Sequence, residues 1–141
     1  MRPSKDRCMM DIAMIVSQRG ECARRKVGAV IIDKEGRILA TGFNGKAPGE
    51  VPCTHSPCPG ALYPSGTGLD KCQASHSEAS ALVQLASPQL ADTIYVTTAP
   101  CISCVKMLLL TSIKRIVYME PYPNNGKELW VANKREWEQL L

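Results

Sequence analysis

Apolar and polar residues recur along the chain with two different periods, and these periods predict its helices and strands. Near the amino terminus, apolar positions at helical spacing follow Ser4 and Asp6, which predicts an amphipathic helix that stops by Gly20. Its apolar positions are Met9, Ile12, Ala13, Ile15 and Val16. Two β-rich runs follow, 27–32 and 38–41, and the Asp-Lys-Glu-Gly segment between them is typical of a hairpin connection. We therefore expect the first two strands to be antiparallel.

The second half of the chain alternates between the two periods. Helical patterning at 76–85 precedes a strand-like run at 93–97, and a second helical segment at 101–111 precedes another strand-like run at 115–119. With the earlier strand, this gives a β-α-β-α-β series. Such a series predicts an α/β fold in which helices pack on a sheet.

A long segment at about 45–75 lacks either period and is rich in Gly, Pro, Ser and Thr. A loop of this length inside one domain is usually functional or held in place by other groups. It contains four potential metal ligands, and a further cysteine precedes the first strand: Cys53, His55, Cys58, Cys72 and Cys22. Two interpretations stay open, a second zinc site or a set of buried, inert thiols.

Composition limits the class of protein. The 141 residues suit one domain, and the fractions of hydrophobic residues (45%) and charged residues (21%) are ordinary for a soluble globular chain. The apolar runs are too short to span a bilayer and no export signal is recognised, so we expect a cytoplasmic protein without membrane contact. Seven cysteines in such a protein favour metal binding or reduced thiols over disulfides.

The net charge of +4 is mild, and its most basic cluster is the short run Arg24-Arg25-Lys26. Because no aromatic residues are interleaved with these cations, the run suits a single phosphate better than a nucleic acid. We therefore expect no nucleic-acid partner.

The candidate chemistry lies in two short segments. His76, Cys101 and Cys104 offer one imidazole and two thiolates, a set that holds zinc while leaving a fourth position for water. Glu78, two residues after the histidine, is placed to carry a proton between that water and a leaving group. Taken singly, a C-x-x-C pair is also typical of redox sites or structural zinc sites. A lone histidine is more often a residue of the protein core.

The combination H-x-E with P-C-x-x-C resembles the zinc-dependent cytidine and deoxycytidylate deaminase superfamily. Three further segments, 22–31, 42–45 and 114–122, are similar to deoxycytidylate (dCMP) deaminases, including viral members. The resemblance implies one deaminase domain over residues 1–141. It also implies a three-layer α/β/α sandwich with a central mixed sheet.

The resemblance further assigns roles to individual residues. Glu78 would shuttle protons beside a zinc held by His76, Cys101 and Cys104. The implied substrate-binding residues are Arg24 for the phosphate, Ala29 at the pocket wall through its backbone, Asn44 for the sugar or phosphate, and Tyr122 beside the base. Arg25, Lys26 and Lys106 are further phosphate candidates. Asn44 could instead favour a turn conformation, and Arg24 could lie on a solvated face. Tyr122 could simply pack against its neighbours.

The implied reaction is hydrolysis of dCMP to dUMP and ammonia, which would supply dUMP for thymidylate synthesis. In such deaminases the segment corresponding to Gly42, Phe43, Asn44 and Gly45 is also associated with dCTP and dTTP effectors in a homohexamer. Some viral members carry a second, structural zinc, for which Cys22, Cys53, His55, Cys58 and Cys72 are the candidates. In a viral setting the protein would act in the host cytoplasm.

Two departures from the family pattern stand out. Ser80 replaces the asparagine of H-A-E-x-N-A and cannot make the two-sided hydrogen bonds of an amide. After Tyr122, we expect a charged amphipathic tail at 134–141 where longer relatives continue with another helix and strand. The alternative functions are deamination of another cytosine nucleotide or of transfer RNA adenosine, or a non-catalytic, zinc-stabilised nucleic-acid-binding module.

Overall fold

A computed structural model describes residues 1–67 and 73–141. The first helix, α1 (Lys5–Ser17), begins where Ser4 accepts a hydrogen bond from the backbone N–H of Arg7 at 3.1 Å. This bond satisfies one of the free N–H groups of the first turn. Met10 and Ala13 lie on the buried face of α1. The spacing of apolar residues therefore predicted this helix correctly.

In the described part of the chain, five strands form one mixed sheet in the order β2-β1-β3-β4-β5. The strands are β1 (Gly28–Ile32), β2 (Ile38–Phe43), β3 (Thr93–Thr98), β4 (Arg115–Glu120) and β5 (Glu136–Gln139). As predicted, β1 and β2 are antiparallel; β1 also pairs antiparallel with β3, whereas β3–β4 and β4–β5 are parallel. The mixed sheet that the resemblance implied is confirmed.

Helices cover both faces of this sheet. Helix α1 packs on one face over a cluster that includes Val30 and Tyr95. The other face carries α2 (Ser77–Leu82), α3 (Ile102–Leu108) and α4 (Lys127–Ala132) over a second cluster. In the described ranges, two short 3₁₀ helices, Pro59–Leu62 and Pro88–Leu90, lie in the connections. The architecture is the expected three-layer α/β/α sandwich.

Two glycines allow helices to approach the sheet closely from opposite sides. A side chain at Gly28 would meet the backbone of α1 at Ala13 and Ser17. A side chain at Gly42 would meet the backbone of α2 at Ser77 and Ala81. Glycine is therefore required at both positions by packing, since no larger residue fits without moving a helix.

The carboxyl-terminal segment differs from the expectation of a charged tail without a further helix and strand. Helix α4 and strand β5 are both present, and β5 adds a parallel edge strand to β4. Trp130 is fully buried and donates its indole N–H to the backbone of Glu136 at 2.7 Å. The prediction failed because β5 is a half-exposed edge strand in which three of four residues are polar, so it has no apolar run.

A single arginine ties this segment to the rest of the fold. The guanidinium of Arg135 lies 5.2 Å from the ring centre of Trp130. It also donates hydrogen bonds to backbone carbonyls at the end of α3, namely those of Leu108, Leu109, Thr111 and Ile113. These contacts neutralise the negative end of α3 and dock α4 against it.

An ion-pair network joins α1 to the strands beneath it. Arg115 donates two hydrogen bonds to the carboxylate of Asp6, at 2.8 and 2.6 Å, and Tyr95 donates its hydroxyl to the same carboxylate at 2.6 Å. The hydrogen bonds from Arg115 are the main reason that the pKa of Asp6 falls from 3.8 to about 2. The charged form of Asp6 is therefore stabilised by folding.

Replacing Asp6 by Asn is expected to lower the free energy of unfolding at neutral pH by about 1–2 kcal/mol, a range that allows for solvent screening. Because the folded pKa lies below the unfolded one, this contribution is present above pH ~4 and is lost as the pH falls toward 2. Urea unfolding at pH 7 and at pH 2.5 measures the difference. The matched control is Asp11→Asn, which removes an exposed pair with Arg7 and should cost no more than about 0.5 kcal/mol.

Within the described residues, no helix combines the length and apolar character needed to cross a membrane.

Candidate active site

A cleft of about 550 Å³ opens at one edge of the sheet. Parallel strands β3 and β4 both end there, and the antiparallel pairing of β1 places the start of β1 and the end of β2 at the same edge. The amino termini of α2 and α3 also reach it. The lining residues are Cys22, Arg24, Arg25, Val27, Asn44, Ser65, Gly66, Ala74, His76, Ser77, Glu78, Thr98, Ala99, Cys101 and Tyr122. Topology therefore gathers segments that are far apart in sequence around one cavity.

Three potential metal ligands converge beside this cleft, and two of them, His76 and Cys101, line it. His76 immediately precedes α2, Cys101 immediately precedes α3, and Cys104 lies in the first turn of α3. The Nδ1 atom of His76 lies 3.3 Å from the sulfur of Cys104 and 3.4 Å from that of Cys101. Their ligand atoms all lie within 4.8 Å of one another.

The donor set fits zinc. One imidazole and two sulfurs leave a tetrahedral ion one open position, as in catalytic zinc sites. The pKa of Cys101 is lowered to about 4, chiefly by a hydrogen bond from Cys104, whose own pKa is raised by the same shared proton and by burial. The lowered pKa favours the thiolate form of Cys101, the form in which sulfur binds a metal.

Glu78 lies beside this cluster in the first turn of α2. Its side chain is buried, with only 4% of the residue exposed, and burial raises the pKa of its carboxyl group. Ser77 donates its hydroxyl to Oε1 of Glu78 at 2.7 Å. A carboxyl group whose pKa is raised by burial holds a proton more readily than an exposed one, which suits a general acid–base.

The two adjacent arginines occupy different positions at the rim. Arg24 directs one guanidinium nitrogen to the carbonyls of Tyr63, Pro64 and Thr67, the last at 2.6 Å. Arg25 lies 5.5 Å from the ring centre of Tyr122, and its Nη1 atom is buried without a hydrogen-bond partner among the described residues. Arg24 thus holds the loop, and Arg25 presents an unused donor.

Asn44 holds the backbone near the cleft, whereas Ala29 is enclosed within the sheet and is not among the described residues that line the cleft. The amide group of Asn44 donates to the carbonyl of Arg25 at 2.6 Å and accepts from the N–H of Val27 at 2.9 Å. Ala29 is fully buried in β1, between its partners in β2 and β3. Among the described residues of β1 and its approach, Val27 supplies the apolar side chain at the cleft wall.

Neither of the other two phosphate candidates reaches the cleft. Lys26 and Lys106 are both exposed, and neither is among the described residues that line the cavity.

The segment from Gly42 to Gly45 separates the cleft from a second, open groove of about 770 Å³. Asn44 faces the cleft, whereas Phe43 and Gly45 face the groove. The remaining groove residues come from the following loop, from α2 and from the residues that flank α2: Lys46, Ala47, Pro48, Ser75, Ala79, Ser80, Val83 and Gln84. Ser80, the departure from the family pattern, therefore lies on the groove side of α2.

The cysteine-rich loop contributes a pair of close sulfurs. Cys53 and Cys58 are buried with their sulfurs 3.6 Å apart, and the backbone of Thr54 donates to that of Glu21, next to Cys22, at 3.0 Å. His55 is exposed, and Cys72 lies outside the described residues. Within the described ranges, the one group of three or more converging ligands is His76, Cys101 and Cys104. A second zinc site stays a prediction.

Several cleft residues were not identified from sequence. Ser77 could have been, since it adjoins Glu78 where the family pattern has alanine. Thr98 and Ala99 end a strand at the edge where ligands bind, which is a general signal. Gly66 had no sequence signal; its carbonyl accepts a hydrogen bond from Asn124, which adds a second side-chain contact to the loop that Arg24 binds.

A mixed five-stranded sheet, a His-Cys-Cys ligand set and a buried carboxylate at one sheet edge define the zinc-dependent nucleobase deaminase class. A family model described as the cytidine and deoxycytidylate deaminase zinc-binding region matches residues 3–120. The chain therefore belongs to this deaminase family.

Individual relatives agree with this assignment. The deoxycytidylate deaminase of Mycobacterium phage D29 is 37% identical over 125 residues, covering 83% of this chain and 95% of the relative. The deoxycytidylate deaminase of Saccharomyces cerevisiae is 33% identical over 124 residues, covering 86% of this chain and 39% of the relative. The chain thus spans well under half the length of the fungal enzymes that it matches, 39% and 38%.

The fold also matches solved structures. The dCMP deaminase of cyanophage S-TIM5, in its complex with dCMP and dUMP, superposes with a TM-score of 0.76 and 28% sequence identity, over 99% of both chains. A transfer RNA A34 deaminase superposes with a TM-score of 0.56 at 19% identity, which shows a shared fold alone.

Proposed function

We propose that the protein deaminates dCMP hydrolytically to dUMP and ammonia. The observation that carries the proposal is the buried carboxylate of Glu78 in the same cleft as the converging atoms of His76, Cys101 and Cys104. The names of the D29 and S-TIM5 relatives support dCMP as the substrate. A structural four-ligand zinc site would have no use for such a carboxylate.

Each residue has a definable part in this reaction. Zinc held by His76, Cys101 and Cys104 would supply a water molecule of lowered pKa. Glu78 would accept a proton from that water, whose oxygen forms a bond to C4 of cytosine. Glu78 would pass this first proton to N3 of the ring and then carry the remaining hydroxyl proton to the exocyclic nitrogen. The bond from C4 to that nitrogen breaks as ammonia departs, and the ring keeps the oxygen as the carbonyl of uracil.

We propose that Arg25 binds the 5′-phosphate of dCMP, in preference to the neighbouring Arg24 that the sequence suggested. Arg24 already donates to three carbonyl oxygens of the loop, whereas the buried Nη1 of Arg25 lacks a partner in the described parts of the chain. A buried donor with no partner is unfavourable, and an anion entering the cleft would satisfy it. Two neighbours support phosphate binding by Arg25. Asn44 binds the backbone of Arg25, and Tyr122 lies beside its guanidinium.

Replacing Arg25 by Gln is expected to lower kcat/KM for dCMP by about 10–100-fold, the usual loss for a charge-assisted hydrogen bond to phosphate. Deoxycytidine lacks the phosphate, so its kcat/KM should change less than threefold. The ultraviolet change as cytosine becomes uracil follows both reactions. Lys26→Gln, a neighbouring exposed cation, is the matched control and should leave both values nearly unchanged.

Two different outcomes would contradict phosphate binding by Arg25 and the deaminase function. An equal loss for dCMP and deoxycytidine in the Arg25→Gln variant would contradict phosphate binding by Arg25. A wild-type protein that leaves dCMP, CMP, dCTP and transfer RNA unchanged would contradict the deaminase function itself.

Binding of dCTP and dTTP to the groove stays a prediction. Phe43 and Gly45 of the candidate effector segment line the groove, and Lys46 adds a cation that would suit a triphosphate. Assays of dCMP turnover with added dCTP or dTTP test it. A homohexamer, action in the cytoplasm and supply of dUMP for thymidylate synthesis are likewise proposals that rest on the family.

A further inference from the structure

The hydrogen bond from Ser77 to Glu78, next to the metal ligands, has no assigned part in the proposed reaction. Ser77 is the first residue of α2 and is completely buried. Its hydroxyl donates to Oε1 of Glu78 at 2.7 Å. Both residues line the cleft. A hydroxyl in this place is therefore in contact with the group that would carry the proton.

The position of Ser77 is fixed by the strand beneath it. Gly42 of β2 packs against the backbone carbonyl of Ser77, an approach that only glycine permits. Because the backbone of Ser77 is held against the sheet and its side chain is enclosed, the hydroxyl has a defined location. It can thus serve as an anchor for a longer and more mobile side chain.

Glu78 needs such an anchor. A glutamate side chain has three rotatable bonds, and a misplacement of about 1 Å in a catalytic group can reduce a rate by as much as 10²-fold. The contact with Ser77 therefore holds the carboxylate of Glu78 in one orientation.

We infer that Ser77 is a positioning residue that orients the carboxylate of Glu78 for proton transfer. This inference rests on the proposed function, because it assigns Ser77 a part in the same reaction. It concerns the chemical step and not substrate binding.

The test compares Ser77→Ala with the wild type on dCMP. Removal of the hydroxyl is expected to lower kcat about tenfold and to leave KM within about twofold, since substrate affinity does not depend on the orientation of Glu78. Zinc content per chain and the melting temperature are measured on the same preparations. An unchanged kcat, or a loss explained by missing zinc, would overturn the inference.

The chain offers a close control. Thr93 also donates its hydroxyl to the carboxylate of the residue before it, Asp92, at 2.8 Å, and it is also buried, with 2% of the residue exposed. Thr93 lies at the other end of β3, away from the cleft. Thr93→Val should therefore leave kcat and KM unchanged, whereas equal losses in both variants would indicate a general effect of removing a buried hydroxyl.

A double-mutant cycle distinguishes positioning from structural damage. In the Glu78→Gln background no proton carrier remains to be oriented, so adding Ser77→Ala should not lower the residual single-turnover rate further. Independent, additive losses would contradict the inference. If the wild type fails to deaminate dCMP, the proposed function fails; if the wild type is active and Ser77→Ala matches it, only the inference fails.

Discussion

Turnover of dCMP is expected to fall by about 10³–10⁴-fold when Glu78 is replaced by Gln, at the upper end of the range for loss of a general acid–base. Glutamine has the shape of the carboxyl group and can still accept the hydroxyl of Ser77, but it cannot carry a proton at neutral pH. Steady-state and single-turnover assays measure the loss.

The variant should otherwise resemble the wild type. Because Glu78 is buried and its pKa is raised by burial, the charged form destabilises the fold, so Glu78→Gln should melt at the same temperature or higher. Its zinc content should be unchanged, since the cluster of three ligands is intact. Substantial turnover by a zinc-loaded Glu78→Gln variant would contradict the proton-carrier role.

Removal of zinc is expected to have a comparable effect. Dialysis against a chelator should abolish dCMP turnover, and stoichiometric Zn²⁺ should restore it, because His76, Cys101 and Cys104 form a three-ligand set suited to a catalytic ion. Cys104→Ser should lower both zinc content and turnover. Full activity of a preparation with almost no metal would contradict a zinc-dependent reaction.

Metal analysis of the same preparations also tests the cysteine-rich loop. One zinc per chain would leave Cys53 and Cys58 as a pair of buried thiols, whereas two would support the second site. The Cys53→Ser, Cys58→Ser double variant is the control: it should remove the second ion alone and leave the catalytic ion bound.

Much of the catalytic centre could be predicted from sequence because its chemistry depends on short, local spacings. Cys101 and Cys104 are three residues apart at the start of one helix and therefore face one side, and His76 and Glu78 lie close together at the start of another helix. The alternation of periods then predicted a sheet with helices, which brings the two helix starts to one edge.

The candidate phosphate-binding residue could not be identified in this way, because its environment depends on contacts between distant segments. Arg24 and Arg25 are adjacent and chemically identical, and the sequence favoured the first. Only the fold shows that Arg24 donates to a loop about forty residues away while Arg25 lies against Tyr122. Likewise, β5 escaped prediction because pairing with β4, and not its own apolar pattern, makes it a strand.

The close approach of Gly42 to α2 affects how mutational scans of this chain should be interpreted. Gly42 belongs to the candidate effector segment, yet any side chain there would push against Ser77 and Ala81 and shift the helix that carries Glu78. Lost activity or lost dCTP response at this position would therefore report a displaced helix and not a missing nucleotide contact. Phe43 and Lys46, which face the groove, are the informative positions for effector binding.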